Sequence, residues 1–196
     1  MKKQNILSLA IATIIVVASA HPVMAYTLLS PRRRWATTPV AVHVLTARNT
    51  TINDVDGGVS AVVGAVKAWG IIASQTTTKP AVRGSAPATI TLNDNGHICT
   101  GSCLAATLTG YYSGSTITDA DIYTNTRYSY TSSKETDGCS GEYDIDGIMV
   151  HEVGHVIGLG HSDVSGATMY PSVSSCNYNN RTLEADDLAG KNDLYK

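Results

Sequence analysis

The sequence predicts an α+β domain in which a twisted mixed β-sheet packs against two helices. Residues 39–46 alternate apolar and small polar side chains, which is the period of a half-buried strand. Residues 55–72 carry apolar side chains at helical spacing, and a second, mostly apolar helical pattern begins at Ile145. Because the chain shows no internal repeat and no linker, we expect these segments to share one core.

The first predicted helix, residues 55–72, has two candidate N-caps. Asn53 and Asp54 precede its first apolar residues, and either side chain can accept a hydrogen bond from a free helical N–H group. Residues 74–87 follow, and their Thr, Gly and Pro content predicts mostly loop.

Further strands and a second helix are expected in the rest of the chain. Residues 128–141 are polar, Ser-rich and therefore turn-like, and Asp144 is the expected cap of the helix that begins at Ile145. The strands are expected at residues 88–92, 104–112 and 117–124.

Residues 1–25 have the pattern of a secretory signal peptide. Two lysines supply the basic start, an apolar run follows, and cleavage is expected after Ala25, with Ala20 as the alternative. The apolar run is too short for a membrane span. We therefore expect residues 26–196 to be one exported domain, extracellular or periplasmic, without a stable membrane anchor.

The charge of the chain is low. Charged residues make up 15% of it and the formal net charge is −2, which argues against a nucleic-acid partner and against electrostatic attachment to membranes. We interpret the basic run Arg32-Arg33-Arg34 as a solvated N-terminal arm, in preference to a processing site or an anionic contact surface. We expect the protein to be a monomer.

Residues 151–161 form the pattern H-E-x-x-H-x-x-G-x-x-H, which supplies a complete protein ligand set for a catalytic zinc ion. His151 and His155 lie four residues apart, on one face of a helix, where both imidazoles can reach one metal. Gly158 tolerates a positive φ, so the chain can turn back and deliver His161. Three histidines leave a fourth tetrahedral position open for water.

Glu152 is the expected general base of this site. It projects beside the metal, within reach of the water but not of the ion, so it can take the water's proton while zinc polarises the scissile carbonyl. The surrounding helix is apolar on nearly every side, and burying these polar side chains there without a metal would be costly. A core helix with hydrogen-bonded histidines is the alternative, which the added glycine and third histidine disfavour.

These residues resemble those of the metzincin metallopeptidases, and residues 165–171 are similar to the Met-turn of that group. Ser162 after the third histidine, followed by Met169-Tyr170-Pro171, resembles the matrixins in particular. Residues 183–195 are similar to the C-terminal helix of a matrixin catalytic domain, and residues 117–122 are similar to the strand before its active-site helix.

The resemblance implies a metzincin-like (zincin) fold with an active-site cleft, a small C-terminal part that contains the Met-turn, and a final helix. It places Met169 beneath the zinc ligands as a support. We expect the strand at residues 104–112 to form the edge of the cleft, where an extended peptide can pair by strand addition. The resemblance also assigns the wall of the pocket for the substrate side chain beyond the cut to Tyr170, Pro171, Ser172 and Val173.

The start of the exported domain resembles that of the matrixins as well. Tyr26 stands nine residues before Trp35, and the resemblance pairs the Tyr26 ammonium with Asp186, the first aspartate of the C-terminal helix. No cysteine-switch motif precedes the domain. We therefore expect removal of the signal peptide to yield the active enzyme directly.

The cysteines are even in number in a chain expected to be exported, which favours disulfides over thiols. Of the three possible pairings we favour Cys99–Cys103, which closes a small loop, with Cys139–Cys176. The latter would tie the segment entering the active-site helix to the segment beyond the Met-turn. A metal site at the cysteines is the weaker alternative, because no C-x-x-C pair is present.

The sequence thus predicts a secreted zinc-dependent endopeptidase with one catalytic zinc ion and a protein or peptide substrate. The main alternative is a secreted zinc-containing module of the same fold that binds or adheres without cutting, and the presence of Glu152 argues against it. Zinc sequestration is a third hypothesis, which the open coordination position disfavours. Asn93, Asp94 and Asn95 are candidate calcium ligands, but a turn is the preferred interpretation.

Overall fold

The computed structural model describes residues 25–45, 52–53, 58–70, 72–77, 88–94, 98–109, 112–132 and 138–196. These ranges contain the helices α1 (Val59–Trp69), α2 (Ile145–Val156) and α3 (Ala185–Leu194), and a short 3₁₀ turn at Asn179–Arg181. Within the same ranges, no helix is long and apolar enough to cross a membrane.

Short strands make up most of the remaining regular structure. They are β1 (Tyr26–Leu28), β2 (Arg34–Trp35), β3 (Val40–Leu45), β4 (Ile52–Asn53), β5 (Ile72–Thr77), β6 (Ala88–Asp94), β7 (Ala105–Thr109), β8 (Tyr112–Ser113), β9 (Thr116–Ile117), β10 (Ala120–Asn125), β11 (Tyr130–Thr131), β12 (Tyr143–Asp144) and β13 (Leu159–Ser162).

The main sheet has five strands in the order β5-β3-β6-β10-β7. The first four run parallel to their neighbours, whereas β7 runs antiparallel to β10 and forms one edge. Helices α1 and α2 pack against each other, and their apolar faces share a core with the sheet. The predicted α+β class, with a mixed sheet packed on two helices, is therefore confirmed.

Helix α1 begins later than the sequence predicts. Its N-cap is Gly58, at φ 93°, and no side chain caps it. The predicted caps are therefore wrong: Asn53 lies in β4, where pairing with β11 holds it, and Asp54 lies outside the described residues. Glycine adopts this left-handed conformation without a Cβ clash, so it can begin the helix without a side-chain cap.

The segment after α1 also differs from the prediction. Residues 74–77, predicted as loop, belong to β5, which pairs in parallel with β3 along its whole length. Pairing with a neighbouring strand outweighs the loop-like composition, and the β-branched threonines of this segment suit a strand. Residues 78–87 lie outside the described ranges.

The strand predicted at residues 117–124 is interrupted, because its two parts belong to different sheets. Ile117 ends β9, which pairs with β2 and β8, whereas β10 joins the main sheet from Ala120 onward. Strand β7 ends at Thr109, before the predicted end at 112. The turn-like segment 128–141 contains the short strand β11, which lies between β4 and β12.

Helix α2 runs through the centre of the core. Asp144 caps it as predicted, since its Oδ2 accepts a hydrogen bond from the Gly147 N–H at 3.1 Å. The Arg181 guanidinium lies 2.6 Å from the other oxygen of this buried carboxylate. Trp69 of α1 is fully buried and donates from its indole N–H to the carbonyl of Val150 at 2.8 Å. These contacts fix the helix that carries the first two histidines of the motif.

Both disulfides favoured by the sequence are present. The Cα atoms of Cys99 and Cys103 lie 5.4 Å apart, and those of Cys139 and Cys176 lie 5.9 Å apart. The second bridge joins the segment that enters α2 to the segment that follows the Met-turn. It therefore connects two regions that flank the same histidines.

Replacing Cys139 and Cys176 together by serine is expected to lower the free energy of unfolding by about 2–4 kcal/mol, because the bridge restricts the unfolded chain. The matched control is the Cys99→Ser, Cys103→Ser protein, which opens a much shorter loop and is expected to lose less. Chemical denaturation of both proteins measures the difference. An unchanged stability of the Cys139, Cys176 variant would contradict the prediction.

Candidate metal centre and active-site cleft

Three histidine side chains converge beside the C-terminal half of α2. His151 and His155 come from successive turns of α2, and His161 comes from β13. One nitrogen of each histidine lies within 4.8 Å of the corresponding nitrogens of the other two, and the Nε2 atoms of His151 and His155 are 3.1 Å apart. The structure thus brings together the three histidines that the motif nominates as metal ligands.

Gly158 allows the chain to deliver His161. It follows the end of α2 at φ 107°, a conformation that side chains with a Cβ rarely adopt. A Cβ at this position would also collide with the backbone oxygen of Arg33. The chain then turns back as β13, which pairs with β1 and presents His161 to the other two histidines.

Backbone carbonyls fix the tautomers of the two helical histidines. The Nδ1 atom of His151 lies 2.7 Å from the carbonyl oxygen of Thr168, and that of His155 lies 2.8 Å from the carbonyl oxygen of Leu159. A carbonyl only accepts hydrogen bonds, so both Nδ1 atoms donate and both Nε2 atoms of the neutral rings carry lone pairs. Two facing lone pairs at 3.1 Å repel each other, and a cation between them removes that repulsion.

The environment favours the neutral, metal-binding form of these rings. Burial, with a contribution from His151, lowers the pKa of His155 to about 3, and the same two causes lower the pKa of His161. Both imidazoles are therefore neutral near pH 7, the form that coordinates a metal ion. Imidazole nitrogens from three histidines, two of which have the second ring nitrogen held by a backbone carbonyl, are a donor set that fits zinc.

Glu152 lies beside the histidines in a nearly closed environment. It is 5% exposed, and its Oε2 accepts a hydrogen bond from the Thr107 hydroxyl at 2.6 Å. Burial raises the pKa of Glu152, while His151 and the Thr107 hydrogen bond oppose this rise. The carboxylate thus lies next to the candidate metal site without belonging to the group of candidate ligands.

Met169 packs against α2, the helix that carries His151 and His155. It is 1% exposed, and its sulfur lies so close to Gly154 of α2 that a Cβ on this glycine would collide with it. The Asp187 carboxylate accepts hydrogen bonds from the N–H groups of Thr168 and Met169, both at 2.9 Å. Helix α3 therefore holds the Met-turn against α2, and the Thr168 carbonyl holds His151.

A cleft of about 660 Å³ opens over these residues. Residues of β7, residues of α2 and the predicted pocket residues all line it. The lining residues that the sequence nominated are His151, Glu152, His155, His161, Tyr170, Pro171, Ser172 and Val173.

Sequence reasoning missed several residues of this site. Thr107 lies in a predicted strand, but no motif indicates that its hydroxyl meets Glu152. Asn177 and Asn180 also line the cleft, and no sequence signal distinguishes them from ordinary loop residues. Asp187 belongs to the predicted C-terminal helix, and its place directly after Asp186 was the available signal of a role beyond helix capping.

The first described residues contact the same C-terminal helix. The backbone nitrogens of Ala25 and Tyr26 lie 2.7 and 3.1 Å from Oδ1 of Asp186, whose Oδ2 accepts a hydrogen bond from the Ser162 hydroxyl at 2.6 Å. Asp186 is 5% exposed. The first described residues, β13 and α3 are thus joined at one buried carboxylate.

Comparison with known proteins finds segments similar to named metalloendoproteinases. This chain is 44% identical to "Metalloendoproteinase 4-MMP" of Arabidopsis thaliana over 52 residues, which cover 26% of this chain and 15% of that protein. Similarity to "Matrilysin" of Rattus norvegicus is 38% over 60 residues, which is 31% of this chain and 22% of that protein. The chain thus matches less than a quarter of the length of these relatives.

A soybean relative and a family model extend this comparison. "Metalloendoproteinase 1" of Glycine max is 38% identical over 77 residues, or 39% of this chain and 24% of that protein. The model of the matrixin peptidase family matches residues 88–196, more than half of the chain, and this span includes the three histidines, Glu152 and the Met-turn. The chain therefore belongs to the matrixin family.

Proposed function

We propose that this protein is a secreted zinc-dependent endopeptidase that uses Glu152 as its general base. One observation carries the proposal: three histidine nitrogens converge within 4.8 Å of one another beside a buried carboxylate, and all four residues line one open cleft. His151, His155 and His161 would hold one zinc ion. A structural zinc site would be closed by a fourth protein ligand, whereas this site faces a cleft large enough for a peptide.

The residues around the cleft suit hydrolysis of a peptide bond. Bound zinc supplies a Lewis acid that polarises the scissile carbonyl and lowers the pKa of water. Glu152 would take a proton from the attacking water and pass it to the leaving amine.

Strand β7 and the Met-turn segment would position the substrate. Because β7 is an edge of the main sheet and lines the cleft, an extended peptide can add to it through backbone hydrogen bonds. Four further residues that line the cleft would surround the side chain beyond the cut: Tyr170, Pro171, Ser172 and Val173. This arrangement favours cleavage within a chain, since an open cleft does not require a substrate terminus.

Cleavage of a mixed peptide library by the purified protein tests this proposal. Mass spectrometry of the fragments identifies the cleaved bonds. We expect cuts within the peptides, with a shared preference for the residue that follows each cut. Zinc binding without cleavage of any peptide would instead favour the alternative of a zinc-containing binding or adhesion module.

We further propose that export removes residues 1–25 and leaves residues 26–196 as the mature enzyme. Removal of the preceding residue would turn the Tyr26 backbone nitrogen, 3.1 Å from Asp186, into an ammonium beside a buried carboxylate. The contact would pin the start of the mature chain to α3, the helix that supports the Met-turn. N-terminal sequencing of the secreted protein is expected to begin at Tyr26, and a start well downstream of it would contradict this proposal.

The Asp186→Asn protein provides a second measure of the same contact. Its mature form is expected to be less stable by about 1 kcal/mol, the difference between hydrogen bonds to a charged and to a neutral acceptor. Asp163→Asn is the matched control, because Asp163 is exposed and lies in the same region. Equal unfolding midpoints of the two variants would show that the terminal ammonium does not use Asp186.

A further inference from the structure

Thr107 connects the edge strand of the cleft with Glu152. It lies in the middle of β7, opposite Ile122 of β10, and its side chain reaches across to α2. The Thr107 hydroxyl lies 2.6 Å from Oε2 of Glu152 and 3.1 Å from the Glu152 backbone oxygen. One threonine thus contacts both the side chain and the backbone of the residue assigned as the general base.

The hydroxyl has a single proton, so its direction can be assigned. An ionised carboxylate accepts hydrogen bonds and donates none, which makes Thr107 the donor whenever Glu152 is ready to act as a base. The 2.6 Å separation is the length of a charge-assisted O–H···O⁻ bond, whereas the contact with the backbone oxygen at 3.1 Å is long for a hydroxyl donor. The proton of Thr107 therefore points to Oε2.

This bond leaves the other carboxylate oxygen for the reaction. A glutamate side chain has several rotatable bonds, and a base acts well only when its oxygen is held within about 2.6–3.2 Å of the proton that it takes. With Oε2 held by β7, Oε1 is the oxygen that remains to meet the attacking water. The strand that holds Oε2 is also the cleft edge to which an extended peptide would add.

We infer that Thr107 is a positioning residue for Glu152. Its hydroxyl holds the carboxylate of the base at a fixed place relative to β7, the strand to which the substrate would add. This inference rests on the proposed endopeptidase function. Thr107 itself transfers no proton to or from the substrate. Its contribution appears in the chemical step, because it acts on the orientation of the base, and not in the affinity for the peptide.

The test compares Thr107→Val, which keeps the shape but removes the hydroxyl, with Thr107→Ser, which keeps the hydroxyl. We expect Thr107→Val to lower kcat by about 10- to 100-fold, the kinetic equivalent of one hydrogen bond to a charged group, with KM within about threefold of the parent value. Thr107→Ser is expected to recover most of this loss. Thr116→Val, the same substitution in β9 outside the cleft, is the matched control.

Bound zinc and the unfolding midpoint are measured for each variant, so that a lost hydroxyl is distinguished from a damaged fold. If Thr107→Val unfolds, Thr107→Ala takes its place. In a Glu152→Ala background, Thr107→Val should cause no further loss, because the group that it positions is absent.

Each outcome either supports or overturns the inference. An unchanged kcat in the Thr107→Val protein, or a Thr107→Ser protein as slow as Thr107→Val, would overturn it while leaving the proposed function intact. A zinc-loaded parent protein that cleaves no peptide would overturn the proposed function and this inference with it.

Discussion

Replacing Glu152 by alanine is expected to lower kcat/KM for peptide hydrolysis by about 10²–10⁴-fold, the usual contribution of a general base. The bound zinc should remain, because the three histidine nitrogens converge without the carboxylate. The fold should remain as well, since the change removes a buried group that carries an energetic cost of desolvation. Steady-state kinetics, zinc analysis and thermal unfolding measure the three effects.

Glu142→Ala is the matched control for this substitution. Glu142 lies shortly before α2, outside the cleft, and its side chain contacts Ser140 rather than the histidines. We expect the Glu142→Ala protein to cleave peptides at the same rate as the parent protein. Equal activity of the Glu152→Ala and parent proteins would refute the assignment of the base.

Replacing His155 by alanine is expected to remove the metal and with it the activity. The Nδ1 atom of His155 is held by the Leu159 carbonyl, and its Nε2 atom faces that of His151 at 3.1 Å, where a shared metal ion would bind. Mutating a residue that only orients a metal ligand weakens the affinity for the metal by about 10–100-fold. Removing the ligand His155 itself should therefore weaken the affinity for zinc by more than about 100-fold. Zinc content after dialysis against a chelator measures this loss.

The Glu152→Ala protein is the control for the histidine variant. Both proteins should have little activity, but only the His155→Ala protein should lose zinc under the same dialysis. Retention of one zinc ion per chain by His155→Ala would show that this histidine is not a ligand.

The parts of the fold that depend on neighbouring residues could be predicted from the sequence. The four-residue spacing of His151 and His155 places them on one helical face, and a glycine at 158 permits the turn that brings in His161. Asp144 caps α2 because its carboxylate needs to reach only three residues ahead. In each case the determining contact lies within a short stretch of chain.

The pairing of distant strands could not be predicted. Asn53 is a residue type that often caps helices, but here it belongs to β4, which pairs with β11. Gly58 is the N-cap of α1 instead. The composition of residues 74–77 predicts a loop, but in the structure they pair in parallel with β3. Local composition does not record which distant strand is available.

The candidate site shows the same division. Thr107 and Glu152 are 45 residues apart, and their contact exists only because β7 lies beside α2. Asp187 was expected in a helix, but its hydrogen bonds to the Met-turn depend on how α3 packs against the rest of the domain. The sequence therefore identified the candidate metal ligands and the candidate base more fully than the groups that hold them in place.

Titration of the metal-free mature protein with zinc tests the central claim most directly. Zinc is removed with a chelator, defined amounts are returned, and peptide hydrolysis and bound zinc are measured on the same samples. We predict that hydrolysis is absent without metal, rises in proportion to bound zinc and stops rising at about one ion per chain, the capacity of a single three-histidine site. Hydrolysis by the metal-free protein, or one zinc ion bound per chain without cleavage of any library peptide, would contradict the account.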